Sequence, residues 1–145
     1  MEARYKFIIQ GELPNLNTEI EAAKQRGRTG RVGHIYAAHK KQWTSYVRMS
    51  LVRQFSMQGG NTIEDNCGFI IKWYVKNKKK DPDNIEFGIK YILDGLQQLK
   101  VIPNDGFCNT SLGKIHKVYI DKEKPRVEVY IFEYDFISKL IDSLC

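Results

Sequence analysis

Two aspartates one residue apart, Asp81 and Asp83, stand inside the stretch "KNKKKDPDNIEFGIK" at residues 76–90. Carboxylate oxygens are the preferred ligands of Mg²⁺. That ion takes one or two of them, keeps several waters and fills its remaining places with phosphate oxygens. Lys78, Lys79 and Lys80 run directly into the pair. A helix starting at Pro82, with about 100° of turn per residue, sets Asp83, Lys90 and Asp94 within about 40° of one another. Lys90 then lies about 10 Å along the axis from Asp83, and its side chain leans back toward the helix start, within reach of a phosphate held there. Asp94 lies about 16 Å from Asp83 and cannot share an ion with it. Its assigned role is a salt bridge to Lys90, four residues earlier, or the orienting of that lysine.

The same residues have a plainer reading. Asp81 suits a helix N-cap, Pro82 the first helical position, and Asp83 in the first turn complements the helix dipole. The lysines would then be a solvated strand end. Asp81 can cap and ligate together.

The surrounding pattern says which elements carry these residues. Residues 4–10 read as a strand, ended by Pro14. Thr18 and Glu21 have the spacing of a capping box for a short helix through Ala23. Residues 24–41 hold six Lys or Arg, two His, three Gly and no acid, so a mobile basic arm is expected there. Trp43, Tyr46, Val47, Leu51 and Phe55 then mark one face of a helix, which Gly59-Gly60 can end. Residues 67–76, "CGFIIKWYVK", read as a central strand, with Cys67 a buried thiol. A second helix is expected from Pro82 to Leu99, burying Ile85, Ile89, Ile92, Leu93, Leu96 and Leu99. "KIHKVYI" and "RVEVYIF" read as two strands paired in a hairpin, and residues 135–145 as a short closing helix. The expected fold is one α/β (α+β) domain over residues 1–145, with about four strands in a mixed sheet packed with helices.

With 145 residues the chain fits one domain, and no apolar run approaches a membrane span. No signal peptide opens it, so a cytoplasmic location is expected. Cys67, Cys108 and Cys145 form no close pair, which argues against disulfide frames and zinc knuckles. His34, His39 and His116 fit no zinc-finger spacing. The formal net charge of +6 favours anionic partners, nucleic acid first. Arg26, Arg28, Arg31, Lys40 and Lys41 of the arm are the candidates for contact with a DNA backbone.

"KKKDPDN" followed by "IKYILDGLQQLKVIPNDG" resembles the signature of the RusA-type Holliday junction resolvases. The likeness covers most of the chain but is specific only from Lys78 to Gly106. Pro14 and Asn17 match a looser segment. The spacing between the two motifs is three residues longer than in the best-known members, and Asn104 replaces the first acid of an acidic pair. The resemblance implies a RusA-like fold and a homodimeric endonuclease, dependent on Mg²⁺ or Mn²⁺, that nicks opposed strands of a four-way DNA junction in recombination and repair. It implies Asp81, Asp83 and Asp105 as metal ligands and Lys90 as the catalytic lysine. Lys78, Lys79 and Lys80 would draw in the polyanion. A less selective flap or fork nuclease of the same fold, and a catalytically silent DNA-binding protein, are the competing readings.

One distance stays open. From Asp83 to Leu99 a continuous helix rises about 24 Å. The six steps back to Asp105 span at most about 20 Å. Asp105 therefore joins the other carboxylates through a fully extended return, or it comes from the partner subunit.

Overall fold

The computed structural model describes residues 2–24 and 34–145. Four strands form one sheet in the order β1-β4-β2-β3: β1 (Tyr5–Gln10), β2 (Gly68–Val75), β3 (Lys114–Ile120) and β4 (Arg126–Phe132). β4 runs antiparallel to β1 and β2, whereas β3 runs parallel to β2, so the sheet is mixed. The helices are α1 (Leu16–Lys24), α2 (His34–Met57), α3 (Pro82–Glu86), α4 (Ile89–Gln98), α5 (Phe107–Thr110) and α6 (Phe136–Leu144).

The period-two pattern of the strands builds one buried face. Phe69, Ile71, Trp73 and Val75 of β2 point to the same side as Tyr5, Phe7 and Ile9 of β1 and Val127, Val129 and Ile131 of β4. Val47, Leu51 and Phe55 of α2, with Ile92 and Leu96 of α4, close over it. Each large apolar side chain buried this way contributes about 1.5–3 kcal/mol. Gly95 lets α2 and α4 touch: a Cβ there would stand 2.7 Å from Val47 Cγ1. The outer edge of β1 is covered from α2, where Gln54 and Gln58 use their amides to pair with the backbone of Ile8 and Lys6. That pairing leaves β1 no free edge for another chain to extend.

Four sequence expectations change. The basic arm does not extend over residues 34–41, which belong to α2; residues 25–33 lie outside the described residues. Helix α1 is capped by Asn15, whose Oδ1 accepts from Thr18 N at 3.2 Å, and not by a box at Thr18. The helix expected over residues 82–99 is divided into α3 and α4 at Phe87-Gly88. The last two strands do not form a hairpin, because β4 inserts between β1 and β2 and pairs with both. Between β3 and β4 the chain crosses the end of β2, where Asp121 N donates to Val75 O at 2.8 Å. β4 lies between β1 and β2 with Val127, Val129 and Ile131 buried, while β3, with exposed Lys114 and Lys117, takes an edge. The closing helix is present, with Asp135 accepting from Ser138 N at its N-cap.

Gly95→Ala is expected to lower stability by about 1–3 kcal/mol, since the added methyl overpacks the α2–α4 contact. Urea unfolding that keeps its midpoint would contradict this account of the contact.

Candidate metal and nucleic-acid site

β2 delivers the chain to Val75, and Lys76, Lys78, Lys79 and Lys80 follow, all exposed. Asp81 holds the N-cap position of α3 with extended backbone (φ −69°, ψ 147°), and its carbonyl accepts from Ile85 N at 3.2 Å. Its carboxylate makes no capping hydrogen bond. Pro82 and the backbone start the helix, leaving that side chain uncommitted. Asp83 is exposed in the first turn. One turn on, Glu86 is half-buried, and its carboxyl is held above the ordinary range, first by burial and then by the negative charge of Asp83.

The break between α3 and α4 is a tight helical link. Phe87 and Gly88 keep right-handed helical angles, while Gly88 N, Lys90 N and Tyr91 N each bond to the carbonyl three residues back. Gly88 is forced by its neighbours: a Cβ would stand 3.1 Å from the Trp73 ring and 3.2 Å from Leu13. Trp73, 2% exposed, is fixed by donating Nε1–H to His116 Nδ1 at 3.0 Å, with the two rings stacked. Exposed Lys90 follows the link. Its ammonium lies 4.9 Å from the centre of the Phe87 ring, so the side chain leans back toward α3 as expected. The Trp73–His116–Gly88 support was not foreseen, although a glycine in the middle of a helical pattern was its signal.

Asp94 does not pair with Lys90. Its partner is Lys40 of α2, at 3.7 Å. The pair sits in a groove of about 480 Å³ between α2 and α4, lined also by Tyr36, Lys41, Gln97 and Gln98. Tyr36 is half-buried on that wall. Of the expected DNA contacts, Lys40, Lys41, Lys78, Lys79 and Lys80 are exposed; Arg26, Arg28 and Arg31 lie outside the described residues.

Asp105 is placed elsewhere. After α4 the chain does not extend back. Lys100 takes a positive φ of 63°, Lys100 N bonds to Gln97 O and Val101 N to Leu96 O, which closes the helix in a Schellman turn. Val101 and Ile102 are then buried in the core. Asn104 serves the following turn, its Oδ1 accepting from Gly106 N. Asp105 is exposed, and its carbonyl accepts from Thr110 Oγ1 at 3.0 Å. The next residues of α5 dock at the start of β2, with Cys67 N and Cys67 Sγ both donating to Asn109 O. Asp81, by contrast, neighbours Val75 and Ile120, at the far end of β2 and β3. The seven steps of β2 measure about 23 Å. Among the described residues, no three acids, histidines or cysteines form a group able to hold an ion. One chain thus brings together Asp81, Asp83 and the lysine run, and sets Asp105 apart.

No family model matches the chain, and no curated protein matches it.

Burial first, and then the Lys114 ammonium, hold the His116 imidazole below its ordinary value of 6.5. Glu86 Oε1, 4.0 Å away, does not offset this. The folded chain therefore prefers the neutral ring, whose Nδ1 lone pair takes the Trp73 proton. Stability from this preference is complete above about pH 6.5 and is lost as pH falls through the lowered value. Urea midpoints measured from about pH 7.5 to 5 are expected to fall more for wild type than for His116→Gln. Parallel curves would contradict that role.

Proposed function

We propose that this protein is a metal-dependent, structure-specific DNA endonuclease of the RusA-like kind, which resolves four-way junctions as a homodimer. The observation that carries the reading is the uncommitted carboxylate of Asp81 beside exposed Asp83, between a lysine run and Lys90. A helix cap alone gives no reason for an N-cap aspartate that does not cap.

The donor set suits the implied ion. Two exposed carboxylates with room for water and phosphate are what Mg²⁺, or Mn²⁺ in its place, accepts. Asp81 and Asp83 would hold it, with Asp105 supplied by a second protomer, since the two ends of β2 lie too far apart for one chain to do so. Such an ion supplies Lewis-acid polarisation of a scissile phosphate. Around it, Lys78, Lys79 and Lys80 attract the DNA backbone. Lys90 places a positive charge where negative charge develops on the phosphate oxygens. Lys40 and Lys41 extend the basic surface along α2.

A labelled four-way junction, a fork and a linear duplex, each with Mg²⁺ or EDTA, provide the test. Wild type should nick opposed strands of the junction only with the ion present. Asp83→Asn should bind but cut at least about 100-fold more slowly, the scale of removing one electrostatic stabiliser of the transition state. Equal cutting of fork and duplex would replace this reading with that of a less selective nuclease. Binding without cutting of any substrate would leave a silent DNA-binding protein.

A further inference from the structure

α2 and α4 close over one face of the sheet; the other is covered at the Gly68–Phe132 end, where Phe136 of α6 packs, and carries exposed Lys6, Lys117 and Tyr119 beyond it. Across that second face the register sets Ile8, Glu128, Lys72 and Lys117 in one row and Gln10, Arg126, Tyr74 and Tyr119 in the next. Lys6, beside Tyr130, begins a third row. Lys6 and Lys117 are exposed, Lys72 is half-buried, and Tyr119 is 39% exposed.

Most polar groups here are committed within the fold. Arg126 bonds to Asp121 Oδ2 at 2.9 Å and to Glu128 Oε2 at 2.8 Å, and lies 3.8 Å from the Tyr74 ring centre. Tyr130 donates its hydroxyl to Glu128 at 2.8 Å, closing that carboxylate off; Glu128 is 8% exposed. The lysines are different. Lys6 and Lys72 stand over the Tyr130 ring, at 5.5 and 5.1 Å, and among the described residues no carboxylate pairs with Lys6, Lys72 or Lys117. Glu128 and Asp121 are already bonded to Arg126, and Glu128 to Tyr130 as well, while the Lys6 charge acts on Glu128 only at longer range.

Lys72 and Lys117 are also direct cross-strand partners on the same face. Like charges placed opposite each other in a sheet destabilise it. The fold alone gains nothing from this pair, whereas a polyanion laid across it removes the repulsion. The pair leads on to the candidate site. Lys72, Tyr74 and Lys76 alternate along one side of the chain, which then enters the run at Lys78, Lys79 and Lys80 and reaches Asp81.

We infer that the exposed part of this sheet face is a track for the DNA phosphate backbone, carried by Lys6, Lys72 and Lys117, that guides a strand toward Asp81 and Asp83. This deepens the nuclease reading by naming how its substrate is held, yet it is measurable without catalysis. The ammonium groups would meet phosphate oxygens as point charges, with the Tyr130 ring beneath those of Lys6 and Lys72. Such contacts carry no sequence information and give affinity that depends steeply on salt.

The test is fluorescence anisotropy of a labelled four-way junction in EDTA, over a series of salt concentrations. The Lys6→Gln, Lys72→Gln, Lys117→Gln triple variant should lower the slope of log affinity against log salt by about 2.7, or 0.9 for each phosphate no longer neutralised. Lys139→Gln, on exposed α6, should leave the slope unchanged. Lys117→Glu adds a readout free of folding failure: opposite Lys72 it should raise the urea midpoint while weakening DNA binding. An unchanged slope in the triple variant, or tighter binding by Lys117→Glu, overturns the track. If wild type binds through this face but never cuts, the nuclease reading fails and the track stands. If wild type cuts the junction while the triple variant keeps its salt slope, the track fails and the nuclease reading stands.

Discussion

Two parallel strands cannot be joined at one end. The chain that leaves the last residue of the first must travel back the length of the sheet before it enters the second. β2 and β3 are such a pair, and everything between them obeys this constraint. Residues just past Val75 stay at one end of the sheet. Those just before Lys114 stay at the other. Asp81 and Asp83 belong to the first group and Asp105 to the second. The return is made by α3 and α4, and the Schellman turn at Lys100 commits the connecting residues to burying Val101 and Ile102. No slack remains for Asp105 to reach back. In the proposed nuclease the constraint turns into a requirement for a second protomer.

The working end of the crossover is shaped by a single aromatic ring. Trp73 is fixed from below by the sheet and from the side by His116, and it leaves Gly88 no room for a side chain. The helix path therefore tightens at Phe87-Gly88, and Lys90 emerges with its ammonium over the Phe87 ring. Asp83 and Lys90 owe their relation to this packing as much as to helical periodicity. The opposite face of the sheet depends on the same strand. Trp73 points into the core, so Lys72 and Tyr74 on either side point out.

Elements set by local pattern were legible in the sequence. The apolar run of β2, the core stripe of α2 and the closing helix α6 appear where periodicity puts them. Pairing was less legible. A five-residue link between β3 and β4 suits a hairpin, but β4 fills a central position and β3, the strand with more polar residues, takes an edge with Lys114, Lys117 and Tyr119 toward solvent. Long-range side-chain contacts were not legible at all. Asp94 pairs with Lys40 across two helices, where helical spacing had offered Lys90. Of the candidate site, the exposed cluster of Asp81, Asp83 and Lys80 could be read from one stretch of sequence. The distance to Asp105 could be bounded but not decided, because it depended on whether the return was extended or buried.

The central claim is that Asp105 completes the site of another chain, and mixing two inactive chains tests it most directly. Asp83→Asn and Asp105→Asn proteins are unfolded and refolded together, and cutting of a labelled four-way junction is measured with Mg²⁺. In a composite arrangement the mixed dimer holds one site with both defects and one with neither, so nicking of one strand returns. If the mixture stays as inactive as either variant, while wild type treated the same way cuts, the three carboxylates do not act across the dimer and the account of Asp105 is wrong.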